Sequence, residues 1–185
     1  MVIEIIYETH STSTDNEAGI ATGWLPGRLS EEGRKQAQEL GKRRGDPGIA
    51  AVFVSDLARA VETAEIAFAG RDVPIYQDAR LRECNYGALN DTPVAHLTKV
   101  RSRHIDEPFP GGQSYRDVVT QTAHFLHDLA VNWEGSTIVV IAHSANRWSL
   151  DHLLKGVSLE DLVDAPFGWQ EGWHYTLPAG YGDML

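Results

Sequence analysis

The sequence predicts one α/β domain of three layers, a mainly parallel central sheet covered by helices on both faces. Three observations predict it. Short β-branched runs recur along the chain, VIEIIYE at 2–8, FVS at 53–55 and STIVVIAH at 136–143, each ending where polar residues begin. Such runs suit strands buried on both faces. Amphipathic stretches with helix-start residues lie between them, and a strand–helix–strand rhythm favours parallel pairing. Finally, 185 residues with 42% hydrophobic content suffice for a single core.

Taken in order, residues 2–8 form the first strand, and Ser30 caps a helix in SEEGRKQAQELGKRRG. After the 53–55 strand, Ser55 is read as the cap of a second helix, SDLARAVETAEIAFAG. Ser114 precedes a third, in which Val118, Val119, Thr122, Phe125, Leu126, Leu129 and Trp133 share one face. Residues 84–113 break the rhythm with NYGALND and RHIDEPFPGGQS, a loop-rich insertion with one short helix around 92–101. Insertions of this kind commonly line a site. Trp169, Trp173 and Tyr175 are expected in the core or at an interface, with WHYTL as a final strand. No repeat or linker divides the chain, so residues 1–185 are read as one domain.

Composition narrows the function. With 26 Asp+Glu against 16 Lys+Arg the net charge is -10, which disfavours nucleic acid and anionic membranes as partners. No apolar run approaches the ~20 residues that span a bilayer, and the N-terminus lacks a signal-peptide pattern, so a cytoplasmic location is expected. Cys84 is the only cysteine, which rules out an internal disulfide and a thiolate zinc site. No metal or other cofactor is expected.

In open α/β sheets the ligand crevice lies beyond the carboxyl ends of the strands. His10, Ser55 and His143 all fall just past such ends, and Arg59 lies one turn into the second helix. Alone, each reads as structural. Together they suggest phosphoryl chemistry: a neutral imidazole as nucleophile, with a cationic histidine and an arginine on the phosphoryl oxygens. A carboxylic acid must then protonate the departing oxygen, and Glu83 at the end of DARLRE is the best placed.

These residues carry a family resemblance. THSTSTDN, TGWLPGRLSEEG, SDLARAVETAEI, RLRECNYGALN, PFPGGQS and IVVIAHS resemble, in order and spacing, the histidine phosphatase superfamily, also called phosphoglycerate mutase-like, over about residues 3–150. The resemblance implies the phosphoglycerate mutase-like fold. It implies that His10 becomes phosphorylated, that His143 and Arg59 hold the phosphoryl group, that Glu83 donates the proton and that Asn16 adds a polar contact. Thr22 and Gly23 in TGW, and Tyr86 in ECNYG, look like the residues that meet the rest of the substrate in the mutase branch.

The chain departs from the pattern at two places. Thr9-His10-Ser11 stands where the family has Arg-His-Gly, and His143-Ser144 where it usually has His-Gly. Thr9, Ser11 and Ser144 are therefore counted with the substrate-binding residues. A threonine hydroxyl replaces a guanidinium, and loss of such a donor typically costs ~3–4 kcal/mol of transition-state stabilisation. Arg28 could swing in as a replacement. Glu8 reads either as a capped or solvent-facing strand end or as a carboxylate that binds Arg28, Arg59 or a substrate amine. Arg101, Arg103 and His104 could meet a second anionic group, whereas Arg147 and Trp148 could line the pocket but more simply pack the helix.

The expected function is a metal-independent phosphomonoesterase acting on a small phosphorylated metabolite through a phosphohistidine. The alternatives are a mutase, for which the 84–113 insertion is short, and a degenerate member with a binding role or altered chemistry. A small-molecule phosphate ester is the expected partner, and a homodimer the assembly considered.

Overall fold

Alternating burial along each strand decides the layers. The structure, a computed structural model, describes residues 1–183. The first strand, β1 (Ile3–Thr9), turns Ile3, Ile5 and Tyr7 into one core, and Ile6 packs against another. A one-turn helix α1 (Thr14–Ala18) and a two-residue strand β2 (Ile20–Ala21) follow, then α2 (Glu31–Arg43), β3 (Ile49–Val54) and α3 (Ala58–Ala67). The second half comprises β4 (Ile75–Gln77), β5 (Thr92–Pro93), α4 (Val94–Val100), α5 (Tyr115–Asn132), β6 (Thr137–Ala142), α6 (Ser144–Lys155), α7 (Leu159–Asp164) and β7 (Trp173–Leu177).

The main sheet has the order β4-β3-β6-β1-β7. All its pairings are parallel except β1 with β7 at the edge. In the central strand β6, Ile138 and Val140 join Phe125, Leu126, Leu129 and Leu150 from α5 and α6. Val139 and Ile141 face the other way, onto Leu40 of α2 and Ala60 and Ala64 of α3. Each large aliphatic chain buried in this way contributes about 1.5–3 kcal/mol. Helices on both faces of a mainly parallel sheet give the three-layer α/β fold expected.

The strands run slightly differently from the sequence expectation. Phe53 and Val54 end a longer strand that begins at Ile49, with Ser55 just past it, and WHYTL is β7 as expected. Ser30 and Ser114 are N-caps, their Oγ atoms accepting from the Gly33 and Asp117 N–H groups at 3.0 and 3.1 Å. Caps of this kind are worth ~1 kcal/mol each. Ser55 is not a cap: α3 begins only at Ala58, behind Leu57, with no side-chain cap. The 84–113 insertion holds the short helix at Val94–Val100 and also β5, which pairs with β2 into a separate ribbon. That ribbon went unread because two-residue strands have no periodicity.

Candidate active site

Three neighbouring parallel strands bring the site together. β3, β6 and β1 lie side by side, and the ladder runs on past their ends: His10 N–H donates to the Ala142 carbonyl at 2.9 Å and Ser55 N–H to the Ile141 carbonyl at 3.1 Å. His10 and His143 consequently face each other, their rings 5.1 Å apart.

His10 is held in one tautomer. Its Nδ1 lies 2.7 Å from the Ser11 carbonyl; a carbonyl only accepts, so Nδ1 bears the proton and Nε2 keeps its lone pair. The Ser11 N–H donates to Thr63 Oγ1 at 3.0 Å, and Thr63 donates to the Arg59 carbonyl at 2.8 Å, which fixes that peptide. Burial and the Arg59 guanidinium lower the His10 pKa to about 3, against a smaller rise from the Ser11 bond. The imidazole is neutral at any physiological pH.

Arg59, 2% exposed, is the hub. Its Nε donates to His10 Nε2 at 3.3 Å, Nη1 to the Leu25 carbonyl at 3.1 Å and Nη2 to the Gly23 carbonyl at 2.9 Å. Nη2 is also 3.4 Å from His143 Nδ1. Gly23 is at φ +55, and a Cβ there would strike Asn90 Oδ1, so only glycine presents its carbonyl to Arg59 in this way. Gly33 similarly lets α2 lie against the Thr12 carbonyl, just beyond the nucleophile.

His143 is buried, with Nε2 2.9 Å from Ser55 Oγ and its N–H donating to Asn146 Oδ1 at 3.1 Å. Tyr7 OH donates to its carbonyl. Burial, Arg59 and His10 hold its pKa well below the usual histidine value, so this group is neutral where the sequence reading expects a cation. Glu83 is buried too, and burial raises its pKa against the opposing pull of the Cys84 N–H, 2.8 Å from Oε1, and of Arg59. Trp24 Nε1 clamps the Glu83 carbonyl at 2.6 Å.

These groups line a cavity of about 700 Å³. Thr9, His10, Asn16, Thr22, Gly23, Arg59, Glu83, Tyr86, His143 and Ser144 are all on its wall. Within it, Asn16 uses Oδ1 to accept from the Ser13 N–H at 2.9 Å as a helix cap, and Thr22 donates to Asp15 at 2.8 Å. Ser11 is outside the main cavity and lines a smaller one of about 300 Å³ on the Thr9 side.

Several expectations are corrected. Arg28 is exposed and lines neither cavity, so it does not stand in for the motif arginine. Glu8, 1% exposed, binds neither Arg28 nor Arg59: its carboxylate takes Arg43 Nη2 at 2.9 Å and Arg44 Nε at 2.7 Å, from the end of α2. Arg43 in turn lies 5.9 Å from the Trp169 ring centroid. Trp169 itself is 61% exposed on the cavity wall rather than in the core, whereas Trp173 and Tyr175 are core residues. Trp148 packs in the core as expected and also lines the cavity, while Arg147 pairs with Asp151 at 2.8 Å. Of the basic cluster in the insertion, Arg101 reaches the cavity; Arg103 is exposed and His104 stacks on Phe109. Burial pushes the Cys84 thiol up, away from thiolate character.

Sequence reasoning missed Ser55 as a histidine partner, Thr63, Trp24 and the apolar wall residues. Only Ser55 carried a signal, its place past a strand end.

Comparison with known proteins places the chain in a family. The sequence profile described as the histidine phosphatase superfamily (branch 1) matches residues 9–169. A 2,3-bisphosphoglycerate-dependent phosphoglycerate mutase from Staphylococcus epidermidis is 28% identical over 86% of this chain and 88% of its own. Phosphoserine phosphatase 1 from Hydrogenobacter thermophilus is 28% identical over 85% of this chain and 79% of its own. Among solved structures, Bacillus stearothermophilus YhfR superimposes with a TM-score of 0.79 at 28% identity, covering 91% of this chain and 88% of that one.

Proposed function

Since the chain belongs to the histidine phosphatase superfamily, we propose that it is a metal-independent phosphomonoesterase that works through a phosphohistidine on His10. The supporting observation is the His10 Nε2 lone pair, fixed by the Ser11 carbonyl on the opposite nitrogen and faced by the Arg59 guanidinium in an open cavity. That is where a phosphoryl group must sit to be both attacked and charge-compensated.

In the first half-reaction the Nε2–P bond forms and the ester P–O bond breaks, while Glu83 gives its proton to the departing alcohol oxygen. Burial keeps that proton on Glu83 to a higher pH than an exposed carboxyl would hold it. Arg59 carries the equatorial charge. His143 takes up a proton when the phosphate dianion arrives, since an adjacent anion reverses the effect of Arg59. In the second half-reaction the Glu83 carboxylate takes a proton from water, the water oxygen bonds phosphorus, and Nε2 leaves. The roles assigned to Arg59 and His143 leave no step that calls for a metal.

Glu83 supplies a direct test. For Glu83→Gln, kcat/KM for an alkyl phosphate is expected to fall by about 10²–10⁴-fold, whereas p-nitrophenyl phosphate, whose leaving group departs without a proton, loses far less. In the native protein the alkyl-ester rate falls as pH rises through the Glu83 pKa, because the proton is then absent. Equal losses on both esters in the variant would remove Glu83 from the acid role.

The mutase alternative finds support in the Staphylococcus relative. Among the described residues, Arg59 and Arg101 are the only arginine or lysine side chains on the cavity wall, few for a bisphosphorylated intermediate, and the phosphatase assignment is preferred.

A further inference from the structure

Beyond the phosphoryl site the cavity is apolar. Ile20, Val94, Leu97, Trp148, Phe167 and Trp169 form its walls. Phe167 and Trp169 are 56% and 61% exposed, among the most exposed large hydrophobics of the described residues, and both stand on this one wall. Apolar surface left open around a concave site is what a bound apolar group would cover. At about 700 Å³ the space suits a drug-sized ligand, and a three-carbon ester would leave most of it wet.

One part of this apolar chamber is polar and incomplete. Arg101 lies 5.6 Å from the Trp148 ring centroid, and the Tyr115 ring meets the same indole edge-on at 5.4 Å. The Arg101 guanidinium has a single long hydrogen bond, Nη2 to the Ala165 carbonyl at 3.5 Å, and its buried Nε has no partner. The Tyr115 ring, on a residue only 2% exposed, closes the other side of the indole. A donor without an acceptor is uncommon, because it forfeits its hydration. The guanidinium beside this indole is therefore under-bonded on the wall of a ligand cavity.

We propose that the substrate is the phosphate monoester of an extended, mainly apolar alcohol that carries a carboxylate at its far end, the apolar body lying along Leu97, Trp148 and Trp169 and the carboxylate meeting Arg101. This rests on the phosphoryl site being the one assigned to His10 and Arg59. A carboxylate offers acceptors to the under-bonded guanidinium, and that bond is charge-assisted.

Binding of non-hydrolysable phosphonates, measured by calorimetry, tests this independently of turnover. The probes are 2-carboxyethylphosphonate, naphthylmethylphosphonate and the latter with a carboxylate on its far ring. The naphthyl compound is expected to bind at least about tenfold more tightly than the three-carbon one. The far carboxylate is expected to add about another tenfold, lost in Arg101→Leu and kept in part in Arg101→Lys, which retains the charge without the planar fork. A three-carbon probe that binds as tightly, or a carboxylate gain that survives Arg101→Leu, overturns the inference. Tight naphthyl binding with no ester turnover would leave the inference standing and remove the phosphatase assignment. Turnover confined to short polar esters would do the reverse.

Discussion

His10→Ala abolishes turnover of every phosphate ester that the native protein cleaves, a loss of at least about 10⁴-fold, as expected when a nucleophile is removed. The size of the effect follows from geometry. No other imidazole can substitute: His143 is buried, with Nε2 on Ser55 and Nδ1 turned to Arg59. The variant should still bind phosphate, since Arg59 keeps its anchors on the Gly23 and Leu25 carbonyls. Inorganic phosphate is therefore expected to raise its melting temperature. Measuring phosphate release and thermal shift on the same sample separates lost chemistry from lost folding. Residual turnover within tenfold of native would deny His10 its role.

Arg59→Lys is expected to lower kcat by about 10²–10³-fold, the scale of losing one preorganised donor to a developing anion. The planar guanidinium faces His10, His143 and two backbone carbonyls at once; an ammonium keeps the charge but cannot fan out in one plane. The His10 pKa responds differently, and that distinguishes positioning from charge. In Arg59→Lys it stays low, because the cation and the burial remain. In Arg59→Ala it rises from about 3 towards the ordinary histidine value without reaching it, since burial is the larger cause. Histidine ring resonances followed against pH read this directly, and an unchanged pKa in Arg59→Ala would contradict the coupling. Thr9 sharpens the expectation: with no motif arginine beside His10, Arg59 carries charge stabilisation that a second guanidinium would otherwise share.

The features legible in the sequence were those governed by local rules. β-Branched runs gave the strands, and serines at the head of amphipathic stretches marked the helix starts at Ser30 and Ser114. The strand-end positions of His10 and His143 implied a shared crevice because parallel strands align their carboxyl ends. Ser55 was misread for an instructive reason. A serine before an amphipathic stretch is the signature of a cap, yet α3 starts three residues later and the hydroxyl is taken by an imidazole from a distant strand. Glu8 failed likewise, since its partners Arg43 and Arg44 are brought to it only when α2 packs on the sheet. Trp169 reads as core by its chemistry, and only the route of the chain between α7 and β7 puts it on the cavity wall.

The central claim is that phosphorus becomes bonded to His10 Nε2. Rapid mixing of the native protein with an aryl phosphate, alkaline quench and peptide mass spectrometry measures it most directly. The account predicts an acid-labile, base-stable phosphoryl group on the His10 peptide, linked through Nε2 and absent from His10→Ala. Steady release of phosphate with no phosphoryl group on His10, or with one on another residue, would contradict it.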